Sequence, residues 1–119
     1  MARIKVDTDT KKFRKWLKKA DDGIAKELKD TLISYTGSIE DLAKQLCPVD
    51  TGYLRQSITM EIQKGGYVGI VRVGAYYARY VEFGTVYQNP QPYLMPAYNI
   101  LSKEFVEEII NKIDKYLAE

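Results

Sequence analysis

The stretch Cys47-Pro-Val-Asp-Thr-Gly-Tyr-Leu-Arg-Gln-Ser-Ile58 separates two different periodic patterns in this chain. Before it, apolar residues recur at intervals of three and four, which is typical of a helix. After it, Ile58, Met60 and Ile62 alternate with polar residues, as in a half-buried strand. Pro48 disfavours helical backbone at Cys47, so we expect the helix to end near Leu46. The stretch is therefore the corner at which helix gives way to sheet.

The region before the corner predicts a short strand followed by a long helical region. Ile4 and Val6 alternate with charged residues, which favours a strand, and Thr8 or Asp9 can then cap a helix. Asp21-Asp22-Gly23 can divide the helical region into a short basic helix and a longer one. Its apolar stripe consists of Phe13, Trp16, Leu17, Ala20, Ile24, Leu28, Leu32, Tyr35, Ile39, Leu42, Ala43 and Leu46.

Within the corner itself, the residues favour a tight turn. Asp50 and Thr51 can bond to backbone N–H groups, and Gly52 can take a backbone angle that other residues avoid. Beyond it, Lys64-Gly65-Gly66-Tyr67 predicts the turn of a β-hairpin whose return strand runs from Tyr67 to about Val73.

After the hairpin the pattern becomes helical again, with a proline-rich interruption. Tyr77, Tyr80 and Val81 stand three and four apart, which predicts a short helical turn ended by Gly84. Residues 86–93 form an irregular loop, since prolines disfavour regular structure there, and Pro96 suits the first turn of a final helix. The apolar stripe of that helix is Ile100, Leu101, Phe105, Ile109, Ile113, Tyr116 and Leu117. The fold class is α+β: a small antiparallel sheet built around a β-hairpin, packed against a long N-terminal helical region and a C-terminal helix.

Composition restricts the function classes. The chain has 119 residues, 45% of them hydrophobic, which suits a single domain spanning 1–119. There is no histidine and one cysteine, so Ser-His and Cys-His nucleophiles, a zinc site and an internal disulfide are excluded. No segment predicts a signal peptide or a membrane span, and the expectation is a protein kept in the cytoplasm.

Positive charge is concentrated near the N-terminus. Residues 1–29 hold ten Lys/Arg against five Asp/Glu. The cluster could contact DNA, an anionic membrane surface or an acidic neighbour, or could simply be a solvated helix face. The candidate anion contacts are Lys11, Lys12, Lys15, Lys18 and Lys19.

Tyrosine is concentrated in the second half, where eight of the ten fall between Tyr53 and Tyr98. Tyrosine is enriched in protein–protein interfaces because it is amphipathic and loses little rotamer entropy. The hairpin and the aromatic loop therefore indicate a contact surface, and the alternative is that these rings close the sheet over the helices.

Three segments resemble signatures of one known family. Pro48-Val-Asp-Thr-Gly-Tyr-Leu-Arg-Gln-Ser-Ile58 is similar to the segment that identifies the tail-completion, or head–tail joining, proteins of long-tailed bacteriophages and prophages. Tyr77-Ala-Arg-Tyr-Val-Glu-Phe-Gly-Thr85 resembles the second signature of that family, and Gln91-Pro-Tyr-Leu-Met-Pro-Ala97 its third. The order and spacing match over about residues 24–117. The matching motif positions are Pro48, Asp50, Thr51, Gly52, Leu54, Arg55, Ser57, Tyr77, Ala78, Tyr80, Glu82, Phe83, Gly84, Thr85, Pro92, Leu94, Pro96 and Ala97.

The resemblance implies a non-enzymatic virion protein of the neck or tail, without a cofactor, a metal or membrane contact. It implies self-association as a ring, commonly sixfold, between the connector or adaptor and the tail tube or tail terminator. It also implies assembly in the host bacterial cytoplasm and passing proximity to DNA.

One contact within this motif set is a hypothesis of its own. Arg55 and Glu82 carry opposite charges in the first two signatures, and we expect them to pair and so join the hairpin base to the aromatic turn. The alternative is that they are two unrelated surface charges.

Two other function classes remain open from the sequence. Asp50-Thr51-Gly52 is the catalytic tripeptide of aspartic proteases, and a homodimer could supply one Asp50 from each subunit. That tripeptide would have to lie in a loop between strands, whereas here it follows a helix-ending proline. The second class is a small nucleic-acid-binding module that uses the basic N-terminal helix and exposed tyrosines.

Overall fold

A computed structural model describes residues 2–7, 22–48 and 52–118 of the chain. The fold of these residues is α+β, and the predicted elements follow in the predicted order with one addition, a single-turn helix over Tyr53–Gln56 that the sequence did not predict. The elements are β1 (Ala2–Asp7), α1 (Asp22–Leu46), the single-turn helix α2 (Tyr53–Gln56), β2 (Ile58–Gln63), β3 (Val68–Val73), α3 (Ala78–Phe83) and α4 (Leu94–Ala118). The predicted basic helix, with its cap at Thr8 or Asp9, lies outside the described residues.

The sheet is antiparallel, with β3 between the other two strands in the order β1-β3-β2. Val73 lies opposite both Ala2 and Ile58, and Val68 lies opposite both Asp7 and Gln63. A 3₁₀ turn over Lys64–Gly66 closes the β2–β3 hairpin, and Gly65 and Gly66 supply positive φ angles of 66° and 102°. The predicted hairpin is confirmed.

Helices α1 and α4 pack together and, with the sheet, enclose the main core. Tyr35 of α1 meets Phe105 of α4 edge to face, with ring centroids 5.6 Å apart. Each fully buried aliphatic side chain contributes about 1.5–3 kcal/mol through removal from water. The buried core residues are Leu32, Ile39, Ala43, Cys47, Leu54, Ile58, Val71, Val73, Ala75, Ala78, Tyr93, Leu94, Ala97 and Phe105.

Helix α1 approaches the central strand closely at one glycine. A Cβ atom on Gly69 would lie 2.0 Å from Oγ1 of Thr36. Thr36 is itself fully buried, and its hydroxyl donates to the carbonyl of Leu32 at 2.8 Å. Gly69 on β3 and Thr36 on α1 therefore determine how closely the helix packs against the sheet.

The apolar stripe predicted for α4 is correct in its centre and wrong at two positions. Phe105 is buried, and Leu101, Ile109, Ile113 and Tyr116 are partly buried against the core clusters. Ile100 and Leu117 are 52% and 65% exposed, because at 3.6 residues per turn they lie away from the core-facing side. Apolar side chains therefore extend beyond the surface that α4 buries in this chain.

Crossing a membrane sets requirements of length and apolar composition on a helix. None of the helices in the described part of the chain is both long and apolar enough to meet them.

Candidate assembly surface

The corner between α1 and the sheet is stabilised by hydrogen bonds that begin at Gly52 and by the burial of Leu54. Gly52 has a φ of +79°, as predicted for this turn, and its carbonyl accepts the N–H of Gln56 at 3.0 Å. Leu54 is buried in the main core. The Ser57 hydroxyl donates to the carbonyl of Leu54 at 2.7 Å, and the Ser57 carbonyl accepts the N–H of Gly74 at 3.0 Å. These bonds connect the corner to the end of β3.

Arg55 binds the end of α1 and not Glu82, so the predicted Arg55–Glu82 pair is wrong. Its Nε atom donates to the carbonyl oxygen of Lys44 at 3.0 Å. The last carbonyls of a helix lack intrahelical donors and carry the negative end of the helix dipole, which suits a guanidinium. The alternative of two surface charges is wrong as well, because Glu82 is 3% exposed.

Glu82 joins the second signature to the third by capping α4 from a distance in sequence. Its Oε1 atom accepts the N–H groups of Tyr93 at 3.3 Å and Leu94 at 2.8 Å, and its Oε2 atom accepts that of Met95 at 3.2 Å. Pro96 follows in the first turn and has no N–H group to satisfy. A buried carboxylate at the positive end of a helix is compensated by these donors.

Tyr93 strengthens the same junction. Its side chain is fully buried, and its hydroxyl donates to the carbonyl of Ala78 in α3 at 3.2 Å. Burial, together with the nearby Glu82 carboxylate, raises the pKa of Tyr93 far above its usual range. Burial likewise raises the pKa of Cys47, which also belongs to the core. These groups are neutral packing elements at neutral pH.

A tight loop leaves this junction at Gly84. Gly84 has φ and ψ angles of 76° and 177°, and a Cβ atom there would lie 2.8 Å from the nitrogen of Pro90. The N–H of Thr85 donates to the carbonyl of Gln88 at 2.9 Å, and the N–H of Gln91 donates to the carbonyl of Val81 at 2.8 Å. Backbone bonds therefore fix both the narrow end of the loop and its return.

The loop and α3 present apolar side chains to solvent. Val86 and Tyr87, at the loop tip, are 92% and 96% exposed. On α3 and just before it, Tyr76, Tyr80 and Phe83 follow a spacing of four and three and share the outward face. The aromatic surface, as the term is used below, comprises Tyr53, Tyr76, Tyr80, Phe83, Val86 and Tyr87.

Partly buried Tyr77 supports this surface from beneath. Its ring lies 5.2 Å from that of Tyr76 in an edge arrangement and 6.3 Å from that of Tyr53, measured between centroids. The tyrosines therefore divide into rings that the chain buries and rings that it leaves exposed. Tyr93 closes the core, whereas Tyr76 and Tyr87 form the exposed surface.

The structure brings the second and third signatures together and places the first beside them. A groove of about 140 Å³ lies between the first two and is lined by Pro48, Gly52, Leu54, Tyr77, Val81, Gln88 and Gln91. Within the motif set, the buried members are Leu54, Ala78, Glu82, Leu94 and Ala97; the partly buried members are Pro48, Gly52, Ser57, Tyr77, Gly84 and Pro96; the exposed members are Arg55, Tyr80, Phe83, Thr85 and Pro92.

Some predicted positions lie outside the described residues. Asp50 and Thr51 are among them, and so are the candidate anion contacts Lys11, Lys12, Lys15, Lys18 and Lys19. The elements that flank Asp50 are helical on both sides, α1 before and α2 after, rather than the two strands that a protease loop requires. In the described residues, no cluster of histidine, cysteine or carboxylate side chains could hold a metal ion.

The motif set omits the most exposed apolar residues. Val86 and Tyr87 stand between Gly84-Thr85 and Asn89-Pro90, so they are an apolar pair enclosed by turn-forming residues. That pattern is typical of a hairpin tip. It could have identified them, since an apolar pair at a loop tip has nowhere to be buried within its own chain.

Comparison with known proteins identifies a family for the chain. The family described as "Bacteriophage HK97-gp10, putative tail-component" matches residues 6–84, about two-thirds of the chain. This chain belongs to that family of bacteriophage tail components. No curated protein and no solved structure matches the chain.

Proposed function

We propose that the protein is a non-enzymatic structural component of the virion that joins head and tail. In this proposal it forms a ring, commonly sixfold in such necks, between the connector or adaptor and the tail tube or tail terminator. It would be assembled in the host cytoplasm and retained in the neck of the particle. The observation that carries the proposal is the aromatic surface, which is exposed yet fixed from beneath by Glu82 and Tyr93.

The buried polar groups support a structural rather than a catalytic role. Among the described residues, Glu82 is the buried charged side chain, and both of its oxygens are occupied by backbone N–H groups. The two buried threonines, Thr31 and Thr36, donate to carbonyls one turn earlier in α1. These groups are used to fix the fold, whereas catalytic groups are held ready for a substrate.

The aromatic surface has the character of a docking site for another protein. Solvent-exposed rings that lie together represent a free-energy cost in an isolated chain and a gain when a partner covers them. Fixing them on a short helix and a tight loop lowers the ordering entropy that binding must overcome. A ring subunit benefits because its contacts must repeat with the same geometry around the axis.

Deletion of the gene from the phage or prophage that encodes the protein tests this function. We expect electron microscopy to show filled heads and separate, unjoined tails, and wild-type protein supplied in trans to restore virions. Val86→Asp should fail to restore them, because it places a charge at an exposed apolar position of the aromatic surface. Asn89→Asp adds the same charge to an exposed position of the same loop and should restore them. Intact virions from the deletion strain would contradict the proposal.

A further inference from the structure

A second exposed apolar surface lies along the C-terminal half of α4. Val106, Ile110 and Leu117 are 52%, 50% and 65% exposed. Their spacing of four and seven places them on one side of the helix, next to the partly buried Ile113. These three residues are called the outer stripe below. Nothing in the established family assignment explains why this side of α4 should be apolar.

The outer stripe and the aromatic surface lie far apart on the molecule. Glu82 ties α3 to the first turn of α4, at Leu94 and Met95. At a rise of 1.5 Å per residue, Val106 is about 16 Å further along the helix axis than Met95, and Leu117 is about 33 Å further. The two surfaces therefore cannot cover each other within one chain, and each is available to a different neighbour.

Their charges are complementary. Arg79 is exposed on α3, on the same outward side as Tyr76, Tyr80 and Phe83, and the acidic residue of α3, Glu82, is buried. The outer stripe is bordered by exposed Glu107 and Asp114, with Lys103 towards the start of the helix. In the described parts of the chain, Arg79, Glu107 and Asp114 form no ion pair.

We infer, resting on the proposed ring function, that the aromatic surface of one copy packs against the outer stripe of α4 in the next copy. In this contact, Val86 and Tyr87 cover Val106, Ile110 and Leu117, while Arg79 faces Glu107 and Asp114. The contact is head-to-tail because it joins two different surfaces of the same chain. A head-to-tail contact forms a closed ring when its rotation divides a full turn evenly.

Contacts between like surfaces fit the charges less well. Two aromatic surfaces face to face would bring one Arg79 towards the other, and like charges brought together in an interface are unfavourable. Two outer stripes face to face would leave both aromatic surfaces exposed. The mixed contact covers both apolar surfaces and places opposite charges beside each other.

Two variants of the full chain, each with one damaged surface, distinguish these arrangements. Tyr87→Asp damages the aromatic surface, and Ile110→Asp damages the outer stripe. We expect wild-type protein to associate progressively with concentration in sedimentation velocity, and each variant alone to associate more than ~10-fold more weakly. An equimolar mixture should form heterodimers and stop there, since one sound aromatic surface meets one sound stripe. Circular dichroism and thermal melting confirm that both variants are folded.

A charge exchange sharpens the same experiment. Arg79→Glu should weaken association, and mixing it with a chain carrying Glu107→Arg and Asp114→Arg should restore it. Lys115→Glu changes the charge of an exposed residue on another side of α4 and should leave association unchanged.

Three results would overturn the inference. The first is wild-type protein that stays monomeric at concentrations on the order of hundreds of micromolar, because such a chain lacks the contact. Tyr87→Asp protein that still dimerises as tightly as wild type would show that stripes pair with stripes. Variants that do not complement each other in the mixture would exclude a head-to-tail contact. If the purified protein stays monomeric while gene deletion leaves heads and tails unjoined, this inference fails and the proposed role in joining head and tail stands. Intact virions without the protein would refute the proposed function whatever the purified chain does.

Discussion

Two glutamates attach α4 to its neighbours, one to α3 at its N-terminal end and one to α1 in its middle. The first carboxylate is buried and the second is partly exposed. Glu82, from α3, is 3% exposed and accepts three backbone N–H groups at the start of α4. Glu108, within α4, has a side chain that is 42% exposed; it accepts a bond from the Tyr35 hydroxyl and lies 3.3 Å from Nζ of Lys112.

The difference between these two carboxylates lies in what replaces a lost partner. Water can solvate Glu108 when a bond is lost, whereas the donors around Glu82 would remain buried and unpaired. Glu82 therefore attaches α3, which carries part of the aromatic surface, to the start of α4 by bonds that water cannot replace.

The largest expected effect is that of Glu82→Ala. It leaves three backbone donors without their acceptor and a cavity beside Leu94, so the free energy of unfolding should fall by about 3–5 kcal/mol. Glu82→Gln keeps one acceptor oxygen and should lose roughly half as much. Urea denaturation measures both. A loss below about 1 kcal/mol for Glu82→Ala would contradict the difference drawn between Glu82 and Glu108.

Gly84→Ala tests the junction between α3 and α4 through the backbone. Its φ of 76° and ψ of 177° are accessible essentially to glycine alone, and the added methyl group would meet Pro90. We expect a loss of about 2–3 kcal/mol. Gly65→Ala is the matched control, since Gly65 also has a positive φ but its Cβ would meet nothing within 4 Å. Equal losses in the two variants would show that the close contact with Pro90 contributes nothing.

Arg55→Ala should cost less, about 1 kcal/mol, because its bond to the Lys44 carbonyl lies at an exposed helix end. Arg55 and Glu82 bind different partners, so their effects should add in a double-mutant cycle. A coupling free energy above about 0.5 kcal/mol would indicate that the two side chains interact after all.

Tyr35→Phe should have the smallest effect and should be visible mainly in its pH dependence. The hydrogen bond to Glu108 raises the pKa of Tyr35 to about 12 and lowers that of Glu108 below its usual value. The contribution of Tyr35 is present below its ordinary pKa of 10.0 and is lost as the pH rises towards 12. That of Glu108 is present above its ordinary pKa and is lost as the pH falls through the lowered value.

Urea midpoints over a pH series check this prediction. Wild-type stability should fall more steeply than that of Tyr35→Phe both from pH 10 upwards and on the acid side of the glutamate range. Tyr98→Phe removes a hydroxyl from a partly buried ring on α4 and should follow the wild-type profile. Parallel profiles for wild type and Tyr35→Phe would refute the Tyr35–Glu108 bond.

The elements could be predicted from sequence because each depends on local chemistry. Pro48 ends α1, Gly65-Gly66 turns the hairpin, Gly84 ends α3, and Pro96 lies in the first turn of α4. The roles of Arg55 and Glu82 could not be assigned in this way. Opposite charge suggests a pair, but their partners are backbone groups at helix ends, which carry no signal in the side-chain sequence. The outer stripe on α4 could not be predicted for a related reason. Periodicity identifies the apolar sides of a helix but does not show which of them the chain buries.

The central claim is that the aromatic surface is buried against a neighbour in the assembled particle. The most direct measurement places a photo-crosslinking amino acid at position 87 and irradiates purified virions, with position 89 as the control. The account predicts a crosslinked product that joins two copies of this chain, with the partner site on α4 near Ile110. Virions that contain the labelled protein and yield no more crosslink at position 87 than at 89 would contradict it.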